Sequence, residues 1–302
     1  MYIEIQNIPI PICGLILSLF SLGNLLNRFT SLLRNICFIF GLFLLIITTL
    51  KIIIYPRKVK EELKNPLLSS VSGTYSMALM SFSVYFKNIS YNISLFIWGV
   101  GIILHILLIL YFTNNFFFQN FKIENIYASF FVVYVGINNA AVTSYDLGKT
   151  NIGYIIFLYG FINLIFLFPL IFYRYIFYNN IPEKNKPLIL VFNAAVHITI
   201  KGYLNTAQKY NKYILMLYNL CFFLYLFSLY KVYEYKNLKF YPSFSAFTFP
   251  FVISAKATNG IYNRVLNTFL IKFVLDFQLL FSTLIVYYIF VLYLQFLIKK
   301  NN

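Results

Sequence analysis

The sequence predicts an all-α integral membrane protein in which ten transmembrane helices form five helical hairpins around a central pore. Of the 302 residues, 61% are hydrophobic and only 11% are charged, whereas soluble domains are about half apolar and about a quarter charged. Ten apolar runs approach the roughly 20 residues that cross a bilayer, and helices of two compositions alternate along the chain. We therefore expect one transmembrane domain, 1–302.

Charged or Asn/Pro-rich breaks delimit the ten predicted helices. In chain order these are Ile8–Leu26, Asn35–Tyr55, Pro66–Phe86, Tyr91–Phe118, Ile126–Ser144, Ile152–Tyr178, Pro187–Leu204, Tyr213–Tyr230, Ser243–Ile261 and Val265–Leu297. The breaks after helices 1 to 5 read N-R-F-T-S, Y-P-R-K-V-K-E-E-L-K-N, K-N-I-S, Q-N-F-K-I-E-N and D-L-G-K-T. Those after helices 6 to 9 read N-N-I-P-E-K-N-K, Q-K-Y-N-K, E-Y-K-N-L-K and Y-N-R. Pro66 and Pro187 suit the first turns of helices 3 and 7, where no backbone hydrogen bond is lost.

The loop charges predict the orientation, because Lys and Arg accumulate on the cytoplasmic side of a membrane. An even number of spans puts both termini on one side, and the loops of that side carry 13 basic residues against 8 opposite. The larger group comprises Arg57, Lys58, Lys60, Lys64, Lys122, Arg174, Lys184, Lys186, Lys231, Lys236, Lys239, Lys299 and Lys300. The smaller group comprises Arg28, Arg34, Lys87, Lys149, Lys201, Lys209, Lys212 and Arg264. We therefore expect both termini in the cytoplasm and a location in the bacterial inner membrane.

Helices with odd numbers are rich in small and polar residues, whereas even ones are almost wholly apolar. Helix 3 contains P-L-L-S-S-V-S-G-T-Y-S, with Ser69 and Ser70, and helix 5 contains V-G-I-N-N-A-A-V-T-S, with Asn138 and Asn139. Helix 2 instead reads G-L-F-L-L-I-I-T-T-L. Because polar groups avoid hydrocarbon, we expect the odd helices to form an inner ring around a pathway. The alternative is that small residues only permit close helix packing.

Helix 9 contains the most specific stretch, S-F-S-A-F-T-F-P-F-V-I-S-A-K-A-T. Pro250 is expected to kink this helix beside Phe249, whose ring would then form an apolar constriction that gates by dewetting. Lys256, seven residues beyond Phe249, lies on nearly the same helix face. The sequence therefore predicts a phenylalanine gate and a positive charge on one path, with snorkelling of the Lys256 amine to the interface as the alternative.

Two further basic groups and a histidine would lie toward the outer end of the pathway. His197 and Lys201 are spaced four residues apart in helix 7, and Arg264 follows helix 9. These three residues would form a positive outer vestibule, which concentrates anions. The candidate anion-pathway residues are Lys256, Lys201, His197, Asn138, Asn139, Ser69 and Ser70. A helix-packing histidine is the alternative for His197, and His105 in apolar helix 4 is interpreted as structural.

Other functional classes have little support in the sequence. The two histidines are widely separated, and no clustered His motif, phosphate loop or metal-spaced Cys/His set is present, so we expect no enzymatic site, cofactor or metal. Asp276 is the only acidic residue inside a predicted span, and Lys272 would pair with it. Scarcity of carboxylates favours anions over cations. The net charge of +16 is explained by membrane topology, not by nucleic-acid binding.

With these features the chain resembles the tellurite-resistance/dicarboxylate transporter (TDT) family, which includes plant slow anion channels. The best match is the helix 9 stretch Ser243–Thr258, and K-V-K-E-E-L-K-N-P-L-L-S-S at Lys58–Ser70, the pair Asn138–Asn139 and G-Y-L at Gly202–Leu204 support it. The resemblance implies five helical hairpins around a pore, a homotrimer with one pore per subunit, and Phe249 as the pore-occluding phenylalanine. Ala195 replaces a frequent Pro, and Lys256 replaces a usually apolar residue.

The resemblance implies permeation of small inorganic or organic anions in a lipid membrane, because family members handle chloride, nitrate, malate and related dicarboxylates or sulfite, or confer tellurite resistance. The leading hypothesis is a passive anion pore. A proton-coupled dicarboxylate or sulfite exporter on the same scaffold is the second hypothesis, with His197 and Lys201 as its titratable groups. A membrane enzyme or purely structural protein is the third.

Overall fold

The structure, a computed structural model, describes residues 4–178, 180–207 and 213–299. The α-helices of these residues are α1 Ile12–Leu26, α2 Ser31–Ile54, α3 Pro56–Leu63, α4 Pro66–Ser83, α5 Tyr91–Phe112, α6 Phe130–Tyr134, α7 Asn138–Ser144, α8 Thr150–Phe177, α9 Val191–Thr206, α10 Tyr213–Glu234, α11 Phe249–Arg264 and α12 Phe269–Lys299. A π-helical turn, Thr113–Phe118, extends α5. Short 3₁₀ segments are Ile5–Asn7, Val84–Phe86, Ile123–Asn125, Glu183–Leu190 and Pro242–Phe247.

Side chains cap the helices that follow the polar breaks. Thr30 Oγ1 accepts a hydrogen bond from the Leu32 amide at 3.1 Å at the start of α2. Asn65 Oδ1 accepts from the first amides of α4, and Pro66 occupies the first turn of that helix as the sequence predicts. These caps satisfy amides that have no partner within the helix, so the polar breaks fix where the helices begin.

Five helical segments form a closed inner ring. In order around the ring these are α1, α4, the pair α6 and α7, α9 and α11, and each packs against the next, with α11 returning to α1. The other long helices lie outside them, since α2 packs on α1, α5 on α4, α8 on α7 and α9, α10 on α9, and α12 on α11. We call these two groups the inner and outer helices.

The outer helices present a broad apolar surface, whereas the inner helices are almost entirely buried. Ile53, Phe96, Phe166, Met216 and Phe273, each from a different outer helix, are all more than 60% exposed. An apolar surface of this extent is unfavourable in water and suits contact with lipid. Among the described residues, six segments are long and apolar enough to cross a membrane: Ser31–Ile54, Tyr91–Phe118, Thr150–Phe177, Glu183–Thr206, Tyr213–Glu234 and Phe269–Ile298. The count of ten spans stays a prediction.

Two inner helices differ from the sequence-based expectation. Predicted helix 5 is not continuous, because the chain turns at Val135–Ile137 between α6 and α7. A Cβ atom at Gly136 would lie 2.1 Å from the Val132 carbonyl oxygen, so this turn requires glycine. Predicted helix 9 is a 3₁₀ segment, Pro242–Phe247, followed by α11. The expected interior kink at Pro250 was wrong, because Pro250 lies in the first turn of α11, where no helical hydrogen bond is lost.

The charged break after α2 forms a structured element that the sequence interpretation missed. The amphipathic helix α3 is fastened to α2 by Lys51, whose Nζ lies 2.6 Å from a carboxylate oxygen of Glu62 and donates to the Ile8 carbonyl oxygen at 2.6 Å. This contact places the start of α4 next to the start of α1. The expected Lys272–Asp276 pair is not formed, and both side chains are exposed. Lys209, Lys212 and Lys300, used for the orientation, lie outside the described residues.

Candidate functional site

A small cavity lies on the axis of the inner ring, and each of the five inner segments contributes to its wall, the pair α6 and α7 through α6 alone. Its volume is about 50 Å³, room for about three to five water molecules at about 10–15 Å³ each. Almost all of the wall is apolar. Its residues are Gly14, Val71, Thr74, Met77, Ser129, Phe131, Val132, Val135, Gly136, Leu188, Val191, Ala194, Ala195, Ile198, Ser245, Ala246, Phe249 and Pro250. The axis is therefore closed at this level by hydrocarbon side chains.

Phe249 contributes its aromatic ring to this wall from the first residue of α11. It is 7% exposed, and Pro250 follows it on the same wall. By contrast, Phe251 is fully buried on another side of α11, where its ring packs against Tyr225 and Phe281 with centroids 5.6 and 4.8 Å away. Two phenylalanines of one helix turn thus differ in whether they face the axis.

Two neighbouring inner helices hold the backbone on both sides of Phe249. From α1, the Ser18 hydroxyl lies 2.6 Å from Thr248 Oγ1. From α9, Asn193 Nδ2 donates to the Pro250 carbonyl oxygen at 3.2 Å and to Ser254 Oγ at 3.0 Å. Because these bonds cross between helices, they hold the start of α11, which carries Phe249, against α1 and α9. The sequence interpretation missed Ser18, Thr248 and Asn193, although Asn193 is a polar residue in a predicted inner helix.

A wider polar opening lies where the inner helices begin. We call it the N-terminal mouth; its volume is about 530 Å³. Its wall includes Pro11 and Asn65, which precede α1 and α4, Tyr127, which precedes α6, and Asn185 and Ser243, which lie in the 3₁₀ segments that lead into α9 and α11. The start of a helix carries about half a positive elementary charge, so the starts of α1 and α4 make this mouth favourable for anions.

A cluster of basic side chains lies where α9 and α11 end. Lys201 and Lys256 are each only 9% exposed. A Cβ atom at Gly260, one turn beyond Lys256, would lie 3.3 Å from Lys201 Nζ. The Arg264 guanidinium lies 4.2 Å from the centre of the Tyr145 ring and donates to the Leu204 carbonyl oxygen. We call Lys201, Lys256 and Arg264 the C-terminal basic cluster.

Both lysines follow the faces that line the cavity. In α9 the lining residues Val191, Ala194 and Ile198 are followed at helical spacing by Lys201. Lys256 lies two turns beyond Phe249 in α11, where side chains seven positions apart point in nearly the same direction. Lys201 and Lys256 thus lie further along the two helices whose earlier residues line the cavity. That Lys256 shares one path with Phe249 stays a prediction.

The remaining candidate residues lie between helices, away from the cavity wall. Asn138 Nδ2 donates to Thr199 Oγ1 at 3.2 Å, and Asn139 Nδ2 donates to the Met77 carbonyl oxygen at 2.7 Å and to Ser81 Oγ at 2.9 Å. These contacts join α7 to α9 and α4. Both asparagines thus lie in contacts between helices, which is the position that the helix-packing alternative expects.

The candidate serines and histidine also lie behind the wall. Ser70 donates to Ser129 Oγ at 2.7 Å, and Ser129 lines the cavity, whereas Ser69 is fully buried. His197 Nδ1 lies 2.9 Å from the Asn193 carbonyl oxygen, and its Nε2 has no hydrogen-bond partner among the described residues. Both nitrogens of His105 have partners, at 2.7 Å from Ser76 Oγ and at 2.9 Å from the Val133 carbonyl oxygen, which fits its structural interpretation.

No cluster of His, Cys, Asp and Glu residues suited to a metal ion occurs in the part of the chain that the structure describes. The three cysteines are separate and buried.

Comparison with known proteins identifies one family. The model of the SLAC1 family, described as a voltage-dependent anion channel, matches residues 7–294. No curated protein sequence matches the chain.

Proposed function

The chain belongs to the SLAC1 family of voltage-dependent anion channels, and we propose that it conducts small anions along the axis of its inner helices. This membrane protein family is related to the TDT transporters that the sequence resembles. The cavity to which all five inner segments contribute carries this proposal. A pathway of this kind needs no reacting group, and family members are channels and transporters.

The second part of the proposal is that Phe249 closes the pathway. An anion that passes an apolar constriction must lose water without receiving polar partners, which is the principle of a dewetting gate. The axial cavity has room for only a few water molecules, and its wall offers few polar groups. The structure would thus represent a closed state, and movement of the Phe249 ring would open it.

Positive potential on both sides of the constriction supports anions as the permeant class. The starts of α1 and α4 lie at the N-terminal mouth, and Lys201, Lys256 and Arg264 lie beyond the other end of the cavity. Among the described residues no acidic side chain lines the axial cavity. Glu62 lines the N-terminal mouth, where its carboxylate is paired with Lys51, so its charge is balanced there.

An anion series tests the proposal. Purified protein in liposomes is loaded in turn with chloride, nitrate, sulfite, malate and succinate, and efflux is recorded with and without an imposed pH gradient. Efflux of at least one anion that is independent of the pH gradient supports the pore. Efflux that requires the gradient supports the alternative of a proton-coupled dicarboxylate or sulfite exporter. Correctly inserted protein without anion flux contradicts both.

The family resemblance also supports a homotrimer in a bacterial inner membrane, ten spans arranged as hairpins, and both termini in the cytoplasm. Under this orientation the N-terminal mouth opens to the cytoplasm and the C-terminal basic cluster lies toward the outside. Accessibility labelling of single cysteines at Lys184 and Arg264 in intact cells tests it. External labelling at position 184 contradicts the orientation, and native mass spectrometry of the purified protein tests the trimer.

A further inference from the structure

Lys201 and Lys256 form a pair that helix packing does not explain. Both side chains are more than nine-tenths buried, although burial of an ammonium group is costly unless it is paired. None of the ion pairs of the described residues includes either lysine, and neither donates a hydrogen bond to another residue there. Among the described residues their Nζ atoms therefore have no ion-pair or hydrogen-bond partner.

The surrounding charges leave this region positive. Lys201 interacts electrostatically with Lys256, Arg264 and Asp146, and Lys256 also interacts with Asp146. Asp146 forms no ion pair within 4.0 Å with either lysine in the described residues. Among these described groups three are basic and one is acidic, so the region has two positive charges in excess when both lysines are protonated.

Gly260 leaves space for this arrangement. A Cβ atom there would lie 2.8 Å from Leu204 Cδ1 and 3.3 Å from Lys201 Nζ. The absence of a side chain lets the amine of Lys201 reach from α9 to α11, beside the turn that carries Lys256. The Lys201 amine thus reaches the part of α11 that carries Lys256, and the charges of the two lysines act on each other.

We propose that Lys201 and Lys256, supported by the field of Arg264, form a binding site for a small doubly charged oxyanion at the C-terminal end of the pathway. This inference rests on the proposed function for its place on a permeation route, but binding itself does not require flux. Two ammonium groups supply up to six N–H donors, and the excess of two charges matches a dianion better than a monovalent ion. The site distinguishes anions by charge, whereas the apolar constriction acts on all of them.

Equilibrium binding tests the site without any reference to transport. Purified protein in nanodiscs is titrated with sodium sulfate or sodium succinate, with sodium nitrate at equal ionic strength as the reference, and thermal unfolding gives an apparent Kd. We expect at least one dianion to stabilise the protein more than nitrate does. Sulfate as the stronger ligand indicates a compact site, and succinate indicates an extended one.

Variants assign the binding to the two lysines. Lys201→Met and Lys256→Met keep the length of the side chain and remove its charge. Each should weaken dianion binding by about tenfold to a hundredfold, since a charged hydrogen bond contributes that much. Lys256→Arg should keep binding within a few fold, which separates the loss of charge from misfolding. Lys272→Met is the matched control, because the exposed Lys272 lies on α12.

The outcomes separate the site from the pore. Equal dianion binding by the wild type, Lys201→Met and Lys256→Met overturns the inference, as does stabilisation by dianions that does not exceed that by nitrate. Lysine-dependent binding without anion flux in liposomes supports the site and contradicts the proposed function. Flux without lysine-dependent binding supports the pore and contradicts the site.

Discussion

Removing the Phe249 ring should convert the closed pathway into a conducting one. Phe249→Ala deletes the aromatic ring that α11 contributes to the wall of the axial cavity of about 50 Å³. The space that the ring leaves is continuous with that cavity, so water can fill it. An anion at this level would then keep more of its hydration.

The size of the effect follows from the cost of carrying a charge through an apolar layer. A charged side chain at the centre of a membrane helix costs about 2.5–3.5 kcal/mol on insertion scales. If the added water removes half of this cost, the barrier falls by about 1.5 kcal/mol, which is about tenfold in rate. We therefore expect anion conductance of Phe249→Ala to exceed that of the wild type by at least about tenfold.

Planar-bilayer recording of purified protein measures this change, and Phe251→Ala is the matched control. Phe251 lies two residues away on α11 and packs against Tyr225 and Phe281, away from the cavity. Its truncation should cost about 3–5 kcal/mol of stability. That cost should be at least as large as for Phe249, which already faces empty space.

The control separates gating from general damage. If loosened packing alone caused leakage, Phe251→Ala would conduct at least as well as Phe249→Ala. Our reasoning requires the opposite order. Folded Phe249→Ala with unchanged conductance, or equal conductance of the two variants, would refute Phe249 as the closing residue.

Three further predictions concern the surroundings of the gate and the packing of the helices. Asn193→Leu removes two hydrogen bonds to residues that follow Phe249 in α11, which together contribute about 1–3 kcal/mol. This variant should raise the resting anion flux in liposomes several-fold, but less than Phe249→Ala does, and a flux equal to that of the wild type would contradict this. Lys51→Met leaves the Glu62 carboxylate unpaired and should lower the free energy of unfolding by about 3–5 kcal/mol, which is measured as a lower melting temperature in detergent. Adding Glu62→Gln should restore part of the lost stability, and an unchanged melting temperature of Lys51→Met would count against the pair. Gly160→Ala places a Cβ atom 2.3 Å from a neighbouring side-chain amide oxygen and should lower the free energy of unfolding by about 1–3 kcal/mol. The Cβ atom of Gly99→Ala meets nothing within 4 Å, so this variant should raise the free energy of unfolding by about 0.5–1 kcal/mol. A higher melting temperature for Gly160→Ala than for Gly99→Ala would refute this packing.

The sequence predicts the division into inner and outer helices because burial acts on composition directly. Polar and small residues in α4, α7, α9 and α11 cannot face hydrocarbon, and apolar residues in the other long helices can. The Phe-Pro pair on a polar helix singled out Phe249, and the structure places this residue in the wall of the axial cavity; its role as a gate stays a prediction. Helical periodicity predicts that Lys256 shares a face with Phe249, and a shared path for both stays a prediction.

The details that escaped prediction depend on contacts between distant segments. The turn at Gly136 is stable because Met77 and other neighbours pack around it, which periodicity within one helix does not report. Asn138 and Asn139 are polar and buried as expected, but their partners on α9 and α4 decide that they join helices. The approach of Lys201 to Gly260 likewise requires the packing of α9 on α11.

The reversal potential of the current in Phe249→Ala tests the central claim most directly, because it depends on which ion permeates and not on how much protein is inserted. With a potassium chloride gradient across a bilayer, the axial anion pathway predicts a reversal potential near the equilibrium potential of chloride. A reversal potential near that of potassium would contradict it.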